Sequence, residues 1–338
     1  MKIAVVGATL SAGREILSVM AERDFPVESI VALDDREALG REVSYGEDDV
    51  LKVGILDDYN FAGTDIAVFA AGEGIASRFV PKAAKAGCIV IDTSSEFALE
   101  PDVPLIAADI NPEDISRYQK KKIIAAPAPS VVQLLTVVKP LADAFGLKRA
   151  TVTALEAVSN FGKEAMDELF DQTRGIYMNA PISESKKYFT KQIAFNVIPF
   201  AESFMSDGAL RDEWKIASQS EKILGSGTKV TANCAVAPVF IGSSQYVNME
   251  TKKPVDISKA REVLRNIEGI TLFDHKVEEG YITPAEVPGE DNVYVSRLRK
   301  DTAAENGLSF FSAADAVHNG IALNAAKIVE ILVDKYLS

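Results

Sequence analysis

Chemistry in this sequence has few candidates, and the first is a glycine turn. Gly7-Ala8-Thr9-Leu10-Ser11-Ala12-Gly13 follows the apolar run KIAVV and precedes a segment with Ile16, Leu17, Met20 and Ala21 on one helical face. A glycine turn between strand and helix can serve packing alone or let backbone amides reach a pyrophosphate at the helix N-terminus. Gly7 and Gly13 are read here as serving the turn first. After the next strand-like run, SIVAL at 29–33, stand Asp34, Asp35, Arg36, Glu37 and Ala38. One carboxylate there could accept from a ribose 2′-hydroxyl, while two or three would repel a phosphate. Further on, Ser130 is a hydroxyl nucleophile in principle. Gln133 three residues later makes a capping box the better reading, with Pro129 just before the cap. Glu156 could act as a general base if buried, although a paired or solvated carboxylate is commoner. Cys88 and Cys234 lie in strand-like runs without a basic partner and read as buried thiols. His275 and His318 lie outside these motifs and no pair has metal-ligand spacing, so no metal is expected.

The elements that would position these groups fall into two textures. Apolar strand runs at 2–6, 29–33, 66–72, 88–94 and 122–127 alternate with helical patterns. This predicts an α/β domain with a doubly wound, Rossmann-like parallel sheet. From residue 128 the pattern changes to helices near 131–145, 163–173, 211–224 and 257–267, with an irregular loop near 179–189. Strand-like stretches lie at RATVTALEAVS, at 229–251, ITLFD and NVYVSRLRKD. That order predicts an α+β domain with a mixed sheet over 128–312. The helical pattern from 313 to 338, with Val317, Ile321, Ile328 and Leu332 on one stripe, should return to the first domain, 1–127. A net charge of −13 opposes nucleic acid and anionic membrane, and the Lys120–Lys122 triplet reads as a solvated turn. A strand starting at residue 2 and the lack of a long uninterrupted apolar run predict a cytoplasmic protein with no membrane segment.

The order of these stretches carries a resemblance. VVGAT at 5–9, VIDTSS at 90–95, IIAAPAPSVVQ at 123–133, AVSNFGKEAMDEL at 157–169, QIAFNVIP at 192–199, APVFIGSS at 237–244 and ENGLSFFSAAD at 305–315 resemble the aspartate-semialdehyde dehydrogenase family across almost the whole chain. The resemblance implies a nucleotide-binding domain followed by a substrate and dimerisation domain. It also marks departures. The family's nucleophilic cysteine corresponds to Pro129, which has no heteroatom to attack an aldehyde. Its substrate-positioning glutamine corresponds to Glu156, and the arginine that grips the substrate carboxylate to Val236. The acid/base histidine becomes Ser243, and the glutamate that meets the substrate amine becomes Gln219, with the lysine three residues later retained as Lys222. The phosphate-binding arginine becomes Ala98. Valine makes no bidentate pair with a carboxylate, and serine has no pKa near neutrality.

On the cofactor side the same comparison covers Gly7, Thr9, Leu10, Ser11, Ala12, Gly13, Asp34, Asp35 and Gly72. The family's middle glycine is Leu10, which crowds the pyrophosphate turn. NAD or NADP binding is therefore implied as weak or absent, with NAD preferred. The degraded motif is most similar to the diverged USG-1-like paralogue branch, which implies a homodimeric pseudoenzyme with a binding or regulatory role. Two alternatives stay open. One is an active NAD(P)-dependent aldehyde or acyl-phosphate oxidoreductase of the kind used in amino-acid biosynthesis, running hydride transfer without a thioester and supported by Lys222 and Glu156. The other is a mixed dimer with a true dehydrogenase.

Overall fold

A computed structural model describes all residues except 24, 26, 48, 180, 182–186 and 338. The expected loop near 179–189 thus lies partly outside the described residues. In chain order the strands and helices begin with β1 (Lys2–Val6), α1 (Ser11–Glu22), β2 (Ser29–Asp34), β3 (Glu42–Tyr45), β4 (Asp49–Lys52) and β5 (Gly54–Ile55). Next come β6 (Ile66–Phe69), α2 (Glu73–Ala86), β7 (Ile89–Asp92), β8 (Ile123–Ala125), α3 (Pro129–Phe145) and β9 (Leu147–Glu156). Then follow α4 (Lys163–Tyr177), α5 (Arg211–Leu224), β10 (Val230–Val236), β11 (Ser243–Thr251) and α6 (Ile257–Arg265). The chain ends with β12 (Ile270–Leu272), β13 (Val293–Asp301), β14 (Gly307–Ala314) and α7 (Asn324–Tyr336). They form two compact units, Met1–Pro129 with Gly320–Ser338, and Ser130–Asn319.

The first unit is built on a sheet in the order β5-β2-β1-β6-β7-β8, parallel throughout. The order in which strands are added reverses between β1 and β6, as in a doubly wound Rossmann-like sheet. All four residues of β6 and all four of β7 are buried, the pattern of strands covered on both faces. Ile16, Leu17 and Met20 of α1 and Ile328, Val329 and Leu332 of α7 enter the same core as Ile3, Val5, Val68 and Ile91. Each such side chain contributes on the order of 2 kcal/mol by leaving water. The stripe read from the sequence at 328 and 332 is therefore a core stripe of this unit. By length and composition Ala316–Tyr336 could cross a bilayer, but 61% of its most apolar window is buried, as in a core helix.

The second unit carries a mixed sheet ordered β10-β9-β11-β14-β13-β12, with parallel pairs at its two edges and antiparallel pairs between. Burial alternates along parts of β9, β10 and β11. Val152, Ala154, Ala232, Cys234, Val247 and Met249 are buried, whereas Thr153, Thr231, Asn233, Tyr246 and Asn248 are exposed on the opposite face. Residues 313 and 314, expected to open the last helix, instead close β14, because Ala313 and Ala314 pair with β11. The segment returning to the first unit begins at Gly320. The capping box expected at Ser130 is replaced as well. Pro129 is the first residue of α3, a position that needs no backbone N–H, and Gln133 turns inward to donate to Ser312 Oγ at 3.1 Å.

Candidate functional site

In the first unit the glycine turn is fixed by close backbone approach. Gly7 has φ +83°, and a Cβ there would lie 2.7 Å from the Ala70 carbonyl oxygen. A Cβ on Gly13 would lie 2.1 Å from the Gly7 carbonyl oxygen. Neither glycine can be replaced without moving backbone, whether or not a nucleotide binds. Leu10 is the N-cap of α1 with no side-chain cap, and it is 47% exposed. Ser11 and Ala12 occupy the helix's first turn.

Asp34 is not a free acceptor. Its Oδ2 receives the Thr9 amide at 2.8 Å and the Thr9 hydroxyl at 2.7 Å, and its Oδ1 receives the Asp35 amide at 2.9 Å. The carboxylate ties β2 to the turn and is buried. Asp35 caps a short 3₁₀ turn, accepting from the amides of Glu37 and Ala38. Arg36, the cation in this stretch, pairs with Asp58 at 3.1 Å. Asp35 and Glu37 are exposed on either side of Arg36, itself exposed and paired with Asp58, so the stretch presents more carboxylate than cation to a 2′-phosphate. Gly72 begins α2 with φ +78° and open space beside its Cα. Ala98 is buried in the 95–98 turn, donating its amide to the Ser95 carbonyl. Asp92, at the end of β7, was not foreseen. It is fully buried, and burial raises its pKa against the bonds it accepts from Ser94.

In the second unit three of the expected positions come together. Glu156 ends β9, and Val236 ends β10 as its register partner. Ser243 opens β11 and its hydroxyl receives the Ala157 amide at 3.1 Å and the Asn160 side-chain amide at 3.0 Å. It donates to Glu156 Oε2 at 3.4 Å, and Asn160 donates to the same oxygen. Two inbound donors and one outbound proton make Ser243 a brace for Glu156. Glu156 itself is buried, and its pKa is pushed up to about 7, first by burial and then by the charge of Asp212. A carboxyl at that value can hold or release a proton near neutrality.

Asp212 stands in the first turn of α5 and rises to about 7 through burial and the neighbouring Glu202. Lys215, itself buried, bonds Glu202 at 2.6 Å and lies 3.9 Å from Asp212. Asp212, Lys215, Gln219 and Lys222 are spaced 3, 4 and 3 residues apart and share one face of α5. Gln219 is buried and Lys222 half-buried on that stripe. A polar stripe where the amphipathic pattern calls for an apolar one was the available signal for this cluster. Val236 has no exposed surface in its strand, yet it lines a pocket of about 190 Å³ with Phe161, Tyr188, Phe189, Phe200 and Glu202. Behind that pocket Glu168, also not foreseen, accepts the amides of Lys187 at 2.7 Å and Phe189 at 3.1 Å, and that of Tyr188, fixing the wall.

Neither thiol is poised as a nucleophile. Burial raises the Cys88 pKa to about 11 and raises that of Cys234 further, so both stay protonated near neutrality.

Residues 2–118 match the model of the semialdehyde dehydrogenase NAD binding domain, and 138–318 that of the semialdehyde dehydrogenase dimerisation domain. An aspartate-semialdehyde dehydrogenase of Rickettsia conorii is 40% identical over 335 residues, covering 99% of this chain and 98% of the relative. One of Aquifex aeolicus is 38% identical, covering 99% of each chain. The crystal structure of aspartate semialdehyde dehydrogenase II of Vibrio cholerae complexed with ASA superposes with a TM-score of 0.95 at 34% identity, covering 99% of this chain and 98% of that one. With both domains matched and full-length relatives this similar, the chain belongs to the aspartate-semialdehyde dehydrogenase family.

Proposed function

We propose that this chain is a pseudoenzyme of the family, a USG-1-like paralogue that keeps the fold for binding or regulation and does not run the cysteine-dependent dehydrogenase reaction. The observation that carries this reading is Pro129. It opens α3 and lies so close to Gly320 that a Cβ on that glycine would approach within 2.5 Å of the proline Cβ. Val236 and Ser243 support it, since neither can bind a carboxylate as an ion pair nor exchange a proton near neutrality. NAD or NADP would bind weakly in this protein, NAD ahead of NADP, given Leu10 at the turn and the exposed Asp35 and Glu37. A homodimer through the open face of the second sheet, around Thr153, Asn233 and Tyr246, is the expected assembly. A mixed dimer with a true dehydrogenase would use the same face.

The test is turnover. With aspartate semialdehyde, phosphate and NADP the purified protein should stay below ~10⁻² s⁻¹, against ~10 s⁻¹ for a median enzyme. Pro129→Cys alone should not raise it, because a lone thiol lacks a base and a substrate anchor. Turnover above that level in the wild type rejects the reading. A second reading draws on Glu156, whose pKa near 7 suits proton transfer in an oxidoreductase that moves hydride without a thioester. Under it, wild-type protein would reduce or oxidise some other aldehyde with NAD, and Glu156→Gln would abolish that activity.

A further inference from the structure

The pocket beside Val236 has a chemistry opposite to that of an anion site. Its walls are the rings of Phe161, Tyr188, Phe189 and Phe200 with Ile198 and Val236, and Glu202 is its one charged lining residue among the described residues. The rings do not lie flat on one another. Phe161 meets Tyr188 at 51° and Phe189 at 75°, and Tyr188 meets Phe189 at 75°, with centroids 5.0 to 6.2 Å apart. Rings so tilted turn faces in several directions, and each face carries the negative part of the ring quadrupole.

The charge on the pocket wall itself is negative, with its cations set behind Glu202. Glu202 bears a carboxylate that is 34% exposed, paired on one side with Lys215, whose own side chain is only 9% exposed. Arg211 lies more loosely, at 3.8 Å from Glu202. The Tyr188 phenol, on the wall, has its pKa raised by burial and then by the charges of Glu202, Glu164 and Asp212. An anion would enter a ring-lined space whose one charged lining residue, among the described residues, is a carboxylate.

We infer that this pocket binds a small organic cation, an alkylammonium head group whose apolar surface lies against the four rings and whose charge faces Glu202. The volume of about 190 Å³ accommodates such a group with little to spare. The inference deepens the proposed binding role and rests on its premise that Val236 has removed the family arginine, since a guanidinium on this wall would repel the ligand.

Calorimetry on the full-length protein tests it with two probes of the same shape, choline and its uncharged isostere 3,3-dimethylbutan-1-ol. Choline should bind roughly 10-fold more tightly than the isostere, the range expected for a desolvated cation over rings. Glu202→Gln should remove most of that preference while leaving the isostere unchanged, and Phe200→Leu should weaken choline more than the isostere. If Glu202→Gln does not fold, the comparison of probes on wild-type protein decides alone. Equal affinities for the two probes, or no choline binding at millimolar concentration, overturn the inference and leave the turnover result untouched. Aspartate-semialdehyde turnover, conversely, would reject the pseudoenzyme reading without altering the ratio of the two probes.

Discussion

Glu156→Gln should make the second unit more stable above neutral pH and flatten its dependence on pH. Glu156 has its pKa raised from the ordinary 4.5 to about 7, and it is buried, so the charged form is costly in the folded state. At ~1.4 kcal/mol per unit the shift corresponds to about 3 kcal/mol. The sign follows from proton counting. Between pH 4.5 and 7 the folded chain holds a proton that the unfolded chain has released, so stability falls as pH rises through this window and levels off above it. Asp212 titrates in the same direction from a lower starting value, so the wild-type decline includes both groups. Glutamine keeps an acceptor for Asn160 and Ser243 and removes the charge. The variant should therefore lose about 2–3 kcal/mol of the wild-type decline between pH 5 and 8 and gain about that much at pH 8. Trp214, the chain's single tryptophan, lies on α5 and reports this unit, so urea unfolding followed by its fluorescence at several pH values is the assay. Parallel pH profiles for the two proteins, or a variant less stable at pH 8, would refute the assignment of a buried proton to Glu156.

Three further outcomes are expected. Leu10→Gly should tighten NAD and NADP together by about 10-fold in calorimetry, because it opens the turn to a pyrophosphate without touching the exposed Asp35 and Glu37; a change confined to one nucleotide would contradict this. Glu168→Ala leaves three backbone amides without their acceptor and should cost about 4 kcal/mol, read as a lower urea midpoint and faster proteolysis at 187–194. Val236→Arg should not create an anion site by itself, because the guanidinium would pair with its register neighbour Glu156. The double variant with Glu156→Gln should bind a dicarboxylate measurably, and equal binding by the single variant would show that the two positions are not coupled.

What was legible in the sequence was what depends on near neighbours. Gly7 and Gly13 could be read because a strand-to-helix turn admits no Cβ there, and the structure places backbone oxygens at 2.7 and 2.1 Å from where those atoms would sit. Helix α5, expected near 211–224, spans Arg211–Leu224, its N-terminal Asp212 and Glu213 and its closing Gly225 marking the ends although its buried stripe is mostly polar. Strand β14 was missed because Ser312, Ala313 and Ala314 are small and suit a helix equally well; only pairing with β11 and β13 decides. The hairpin of β3 and β4 went unread for a similar reason, its residues being half exposed and weakly patterned. Asp34, expected just after the second strand, is the last residue of β2 and already accepts bonds within the chain. One comes from the hydroxyl of Thr9, 25 residues earlier, and no local rule links them. Asp212 reads in sequence as an acid favourably placed in a helix's first turn, and Glu202 as part of an irregular loop. Their approach to Glu156 exists only in three dimensions.

The departures at this site constrain one another. An ionised glutamate buried beside Val236 would be an uncompensated charge, costing several kcal/mol. Burial and the charge of Asp212 raise the Glu156 pKa to about 7, against the bonds from Ser243 and Asn160, which favour the carboxylate. Had an arginine stood at 236, Glu156 would have been its nearest counterion, and an incoming carboxylate would have had to compete with a partner already in place. Valine at 236 and a glutamate at 156 whose pKa is raised to about 7 are thus compatible with each other. The same logic extends to the wall at Glu202. With no cation at 236, the carboxylates of Glu202 and Asp212 are matched by Lys215 and the more distant Arg211, and of these four groups Glu202 is the one that lines the ring-walled space. A wall of four aromatic rings with a carboxylate as its one charged lining residue among the described residues is the physical reason to look for a cationic ligand here.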